Sequence, residues 1–206
     1  GISKNYAFAY SNGIFEPLTM IVPDLFGGSS SNYLAMDQES ATLKALQQAP
    51  DPSMAQQLIN YTSSYWGNQR LSAPYYAGAL IFLLFVIGSF YADKKYKIWL
   101  LSLVGISIML SWGDSFKAFN YFMFDYFPGY SKFRSVTFSI VIAFIALPLL
   151  GALGFEKILS SENHYKIPKK LWWALGTAAG FIVLIMLSTG FAGFTKDYEG
   201  ELPMWF

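Results

Sequence analysis

Two cations stand where positive charge is unexpected. Lys132 and Arg134 lie directly before residues 136–155, a run without a single charge. A guanidinium matches phosphate through its planar fork, and a lysine ammonium adds a point charge. Beside an apolar segment, the natural phosphate is that of a lipid; a head-group or carboxylate anchor uses the same groups without catalysis. Three carboxylates are also candidates: Glu16 and Asp24 in the first segment, and Asp114 after Ser111-Trp112-Gly113. Each has the chemistry of a general base, a metal ligand or an ion-pair partner for Arg134 or Arg70. A solvated or paired charge is the commoner fate of such residues. Asp114 and Asp125 are the expected partners if Arg134 is structural. Gly27-Gly28-Ser29-Ser30-Ser31 reads as a turn, because no GKS or GKT follows it. His164, beside Lys166, reads as a solvated loop residue, and Asn60-Tyr61-Thr62 is a weak glycosylation sequon.

The elements that must carry these groups are membrane helices. Apolar residues make up 54% of the 206, and charged residues only 13%, against roughly 25% in a soluble domain. Four stretches are free of charge, and about 17–25 apolar residues suffice to cross a bilayer. They predict an all-α integral membrane fold with four transmembrane helices over 75–91, 96–112, 136–155 and 171–191. Pro74 is expected at the start of the first helix, and Pro148 is expected to kink the third. Gly176 and Gly180 form a G-x-x-x-G on the fourth, with Ala174 and Ala178 adding small residues, a face suited to packing within a bundle or, less simply, to a homodimer. The net charge of +1 provides no footprint for nucleic acid. With no cysteine, disulfide scaffolds and thiolate metal sites are excluded.

Lysines orient the helices. Lys94, Lys95 and Lys97 follow the first, and Lys157, Lys166, Lys169 and Lys170 lie between the third and fourth. Short loops rich in Lys and Arg stay cytoplasmic. Residues 1–74, loop 113–135 and the tail 192–206 are therefore expected on the opposite, extracytoplasmic side of the membrane. The chain thus divides into a juxtamembrane segment (1–74), a four-helix region (75–191) and a tail (192–206). Within the first segment, Asp51 and Pro52 read as an N-cap and first helical position. Met54, Leu58, Tyr61 and Tyr65 would follow on one face, and residues 37–46 form a second short helix around Leu43 and Leu46. Residues 14–26, interrupted by Pro17 and Pro23, are expected along the membrane surface. Loop 113–135 holds nine Phe and Tyr residues and reads as an aromatic interfacial belt. The start at Gly-Ile-Ser, and 74 residues without a crossing, predict a piece of a longer protein.

Several short motifs follow in order: Ser11-x-Gly13, Glu16, Leu18-Thr19, Pro23 and Gly27-Gly28. Tyr65-Trp66-Gly67-Asn68-Gln69, Ser111-Trp112-Gly113 and Tyr130-Ser131-Lys132-Phe133-Arg134 complete the series. The arrangement, over most of residues 5–160, resembles the YfhO-like family of large bacterial multi-spanning proteins, in its form common among Bacteroidetes. That family is similar to GT-C-type glycosyltransferases. The resemblance implies transfer of a sugar from a polyprenyl-phosphate carrier to a cell-envelope glycan or polymer acceptor, on the extracytoplasmic face of a bacterial cytoplasmic (inner) membrane. It implies that Lys132 and Arg134 hold the carrier phosphate. Tyr65, Trp66 and Gln69 would line the sugar or carrier groove. Enzymes of that type place a catalytic acid in an earlier loop, so the base is expected upstream and this chain alone is expected to be inactive. No cofactor is implied with certainty, and a divalent metal stays open.

Two other classes compete. A transporter or flippase for a lipid-linked precursor would place ionisable residues at mid-membrane depth, and the four predicted helices hold none. A non-catalytic assembly subunit would use the aromatic loop as a protein interface.

Overall fold

A computed structural model of the chain describes residues 2–68, 75–132, 135–160 and 168–191. It is all-helical over these residues; the only β pairing is two isolated bridges, Gly27 with Tyr65 and Tyr33 with Ser63. The helices are α1 (Lys4–Ala7), α2 (Ala41–Gln47), α3 (Pro52–Leu58), α4 (Ala79–Tyr91), α5 (Lys94–Ser111), α6 (Lys117–Tyr126), α7 (Val141–Leu159) and α8 (Lys169–Phe191). A 3-10 segment, Val136–Ile140, leads into α7.

Two helices are long and apolar enough to cross a membrane: Val136–Leu159 and Lys169–Thr189. A third crossing is available if the bent pair α5–α6 counts as one span. The expected first span falls short. Tyr75–Gly78 is not helical, Gly78 takes φ +110°, and α4 keeps 13 residues, or roughly 20 Å at about 1.5 Å per residue. Pro74 lies outside the described residues, and the helix start predicted beside it is displaced to Ala79. Pro148 sits inside a continuous α7.

The sharpest turn comes at Gly113. Gly113 adopts φ +45°, a left-handed conformation that strains a residue with a Cβ. There α5 gives way to a 3-10 turn and then α6, bent by 108°. Residues 113–126, read from sequence as an aromatic loop, are therefore helical. Asn120 holds the corner. Its buried amide donates to the carbonyls of Met109, at 2.9 Å, and Phe116, at 3.3 Å, and accepts from the Tyr130 hydroxyl at 2.8 Å. Burial pushes Tyr130 up to about 12, so it stays a donor. Carbonyls released by the bend need such partners wherever water is excluded.

Packing sets the helix directions. The principal contact is α4 on α7, where three glycines bring backbones together. A Cβ on Gly88 would strike the Leu150 carbonyl, one on Gly154 would strike Gly88, and one on Gly151 would lie 2.8 Å from the Leu84 Cβ. These pairs make α4 and α7 parallel. On α5, Leu100 and Val104 join Ala143, Ala146, Leu147 and Leu150 in one buried cluster. Ser107 and Ser139 exchange bonds there, each hydroxyl donating to the other's carbonyl at 2.8 and 3.0 Å. The fourth helix packs on α4 through Ala174 and Ala178, against Phe82, Val86 and Ile87. Gly176 and Gly180 meet nothing within 4 Å among the described residues, so of the expected small-residue face it is the two alanines, not the two glycines, that make the contact with α4.

In the first segment, Asp51 caps α3 through the Ser53 amide as predicted, and that bond lowers its pKa. Helix α2 starts at Ala41 behind a Ser40 cap, later than the expected Asp37. Leu46 and Leu58 are buried together with Ala35. The proposed face running to Tyr65 ends early, because α3 stops at Leu58 and a 3-10 turn closes at Tyr61. Tyr65 belongs to a different structure, at the end of the helices remote from Lys94 and Lys169.

Candidate functional site

Residues 11–20 form a hub at that end. The Asn12 amide nitrogen donates to the Ser111 carbonyl at 2.9 Å. The Ser11 hydroxyl donates to the Phe8 carbonyl at 2.7 Å and accepts from the Asp114 amide at 2.8 Å. The Trp112 indole donates to the Ile14 carbonyl at 2.9 Å. The Asn12 side chain donates to the Tyr75 hydroxyl at 3.0 Å, and the Ala77 amide donates to the Met20 carbonyl at 3.0 Å. Met20 itself is buried in the main helix cluster. One short segment thus ties down the start of α4, the end of α5 and the bend.

Glu16 is its centre. Only 3% of the residue is exposed, which is unusual for a carboxylate with no cationic partner among the described residues; Arg70, a cation expected to pair, lies outside them. Three donors replace water. The Gly13 amide reaches Oε2 at 2.7 Å, the Tyr65 hydroxyl reaches Oε1 at 2.8 Å, and the Asn68 amide also donates to Oε1. Gly67 sits where any Cβ would collide with that carboxylate and with Tyr65. Tyr65 is buried, and its hydroxyl is engaged by Glu16. Trp66, the neighbouring residue, is 38% exposed. Its amide donates to the Phe26 carbonyl at 2.7 Å, and its indole leaves no room for a Cβ on Gly27, which has φ +81°. Glu16 therefore positions a loop that presents an indole at the surface.

The other predicted residues are placed apart from this carboxylate. Asp24 is exposed and left-handed, with φ +52°; its carbonyl accepts the Gly27 amide at 2.9 Å. This is a turn role that aspartate tolerates. Asp114 is exposed, accepts the Tyr121 hydroxyl at 2.8 Å and pairs with Lys117 at 3.3 Å. The bond to Asp114 raises the Tyr121 pKa. Asp125 pairs with Lys4 at 2.7 Å, whose ammonium also lies 5.0 Å from the Tyr121 ring centre. Both carboxylates expected as rivals for Arg134 thus have other cations. Lys132 is exposed at the end of a 3-10 turn, without an ion pair among the described residues. Gln69 and Arg134 lie outside the described residues. Among those described, no three of His, Cys, Asp and Glu gather as metal ligands would.

Sequence reasoning listed Glu16 but missed its burial. The signal lay in the glycines: Gly13 and Gly67 leave room for an acceptor between two chain segments. The chain matches no known protein family, no curated protein and no solved structure.

Proposed function

We propose that this chain is part of a membrane glycosyltransferase that takes a sugar from a polyprenyl-phosphate carrier on the extracytoplasmic face. The observation that carries the reading is the hub. Of the motifs that resemble those of the YfhO-like family, Ser11-x-Gly13, Glu16, residues 65–68 and Ser111-Trp112-Gly113, far apart in sequence, meet around residues 11–16 at one end of the helices. Lys132 and Arg134 are the phosphate-binding pair in this reading, and Trp66 is the platform for the sugar. Glu16 is a positioning residue, because its oxygens are occupied by donors of the chain itself. Envelope glycan or polymer is the acceptor.

All four helices cross the bilayer in this proposal. The non-helical residues 75–78 complete the short α4, tied to the hub through Tyr75 and Ala77, since irregular backbone at membrane depth is tolerated where protein covers it. The lysine-rich end is cytoplasmic. With no native cysteine, single cysteines replacing the exposed Ser115 and Ser160 report the orientation. In intact cells, an impermeant thiol reagent is expected to label the residue at 115 and spare the one at 160. The reverse pattern contradicts the topology.

The functional test is carrier affinity of the full-length protein in nanodiscs. A charge-assisted bond contributes roughly 1.5–3 kcal/mol, so Arg134→Ala is expected to weaken binding about ten- to a hundredfold. Arg134→Lys recovers part of the loss, because it keeps charge and loses the fork. Lys132→Ala loses less. Melting is followed in parallel, and unchanged affinity in a stably folded Arg134→Ala protein sinks the assignment.

A further inference from the structure

The opposite end of the bundle carries a second surface that the carrier reading does not use. Lys94, Lys95 and Lys97 open α5, and Lys169 and Lys170 open α8. Chain contacts bring these helix ends together. Lys157, near the end of α7, pairs with Asp93 at 3.0 Å. The Lys170 ammonium lies 4.8 Å from the ring centre of Tyr91, at the end of α4. Of the lysines here, only Lys157 has an ion pair among the described residues. The remaining five have no carboxylate partner there.

Their position works against helix stability. Positive charge at a helix N-terminus opposes the macrodipole, and this occurs on two helices whose starts both lie beside the end of α4. Asp93 precedes α5 as its N-cap residue but makes no side-chain cap bond. About one turn further along each helix come indoles: Trp99 is 63% exposed, Trp172 63% and Trp173 72%. Cations outermost with tryptophans just inside match the profile of a bilayer's head-group layer, where indoles settle at the interface. Basic clusters beside membrane helices attract anionic lipid through the same charge complementarity.

We propose that this lysine–tryptophan surface binds the head groups of anionic phospholipids in the leaflet it faces. The proposal rests on the helices crossing a membrane and is independent of carrier binding at the other end. Lipid phosphates would lie across the starts of α5 and α8, with Trp99, Trp172 and Trp173 beside the glycerol and upper acyl region.

Electron spin resonance on the chain in phosphatidylcholine vesicles tests it, with spin-labelled phosphatidylglycerol or phosphatidylcholine as the probe. The motionally restricted fraction is expected to favour phosphatidylglycerol several-fold at low salt. The preference should collapse near 1 M salt, where the Debye length is about 3 Å. Lys→Gln at the five unpaired lysines should remove it, and Lys→Arg should keep it. Inorganic phosphate should compete poorly, because it lacks the acyl anchor. Should the five-site Lys→Gln protein not fold, the salt titration of the unaltered chain and the Lys169→Gln/Lys170→Gln pair decide. Equal restriction of both lipids at low salt overturns the proposal. So does a preference lost in Lys132→Ala but retained without the five lysines, which would place the lipid at the carrier end. Carrier affinity unaffected by the five-site change leaves the glycosyltransferase reading intact whichever way this test falls.

Discussion

Gly88→Ala is expected to be among the most damaging single substitutions in the helix bundle. The added methyl would overlap the Leu150 carbonyl and crowd the Gly151 amide. Neither is a flexible side chain that can swing aside. Relief requires α4 and α7 to separate, which loosens the largest helix contact in the chain. Overpacking of this kind costs about 1–3 kcal/mol, occasionally more. A chain of this size loses roughly 2–4 °C of melting temperature per kcal/mol, so the midpoint in detergent should fall by about 2–12 °C. Gly176→Ala and Gly180→Ala supply the contrast. Nothing lies within 4 Å of either Cβ, and alanine gains up to about 1 kcal/mol over glycine in a helix interior. They are expected to be neutral or mildly stabilising. A Gly88→Ala protein that melts with the unaltered chain would contradict the described crossing of α4 and α7.

The second large effect is expected at Glu16. Glu16→Ala leaves the Gly13 amide, the Asn68 amide and the Tyr65 hydroxyl without their acceptor. A buried group so orphaned costs about 1–3 kcal/mol. Water entering the space offsets part of the sum, leaving an expected net loss of about 3 kcal/mol or more. Glu16→Gln should fall between, because one amide oxygen still accepts while the new NH2 group faces donors. The damage should also be local. Protease cleavage near residues 63–68 should increase well before the helices melt, since that loop is held by the carboxylate. Unchanged melting and unchanged cleavage in Glu16→Ala would remove Glu16 from the centre of the site.

These two residues also show where reading the sequence stopped. Charge-free runs located the helices because exclusion of charge is a property of each segment by itself. The α5 boundaries, Lys94–Ser111 against the expected 96–112, and the Asp51 cap follow from that kind of local rule. Gly88 carries no such mark. The G-x-x-x-G of α8 is the more familiar pattern, yet which glycine meets a backbone is decided by the partner helix. The partners of Glu16 lie 49 and 52 residues away along the chain, and an acidic residue is ordinarily expected at the surface. The bend at Gly113 was hidden by composition. Phe and Tyr are indifferent helix formers, so a dense aromatic stretch looks like an interfacial belt whether or not it is helical. The stapling amide of Asn120 joins carbonyls that only the folded corner brings near.

Lys132 is exposed and makes no ion pair among the described residues; its phosphate-binding role stays a proposal. Asp24 and Asp114 do not compete with Glu16 for a central role: one shapes a turn, and the other sits in a surface network with Lys117 and Tyr121. The claim that matters most is that the hub end recognises the phosphate of a lipid carrier. The most direct measurement compares polyprenyl phosphate with the corresponding polyprenol, binding to the full-length protein in neutral phosphatidylcholine nanodiscs. The account predicts that the phosphate form binds at least about tenfold more tightly, as loss of one charge-assisted contact implies. That margin should shrink in Arg134→Ala and survive Lys→Gln at the five unpaired lysines of the opposite end. Equal affinity for the two lipids, in a protein shown to be folded by its melting curve, would contradict it.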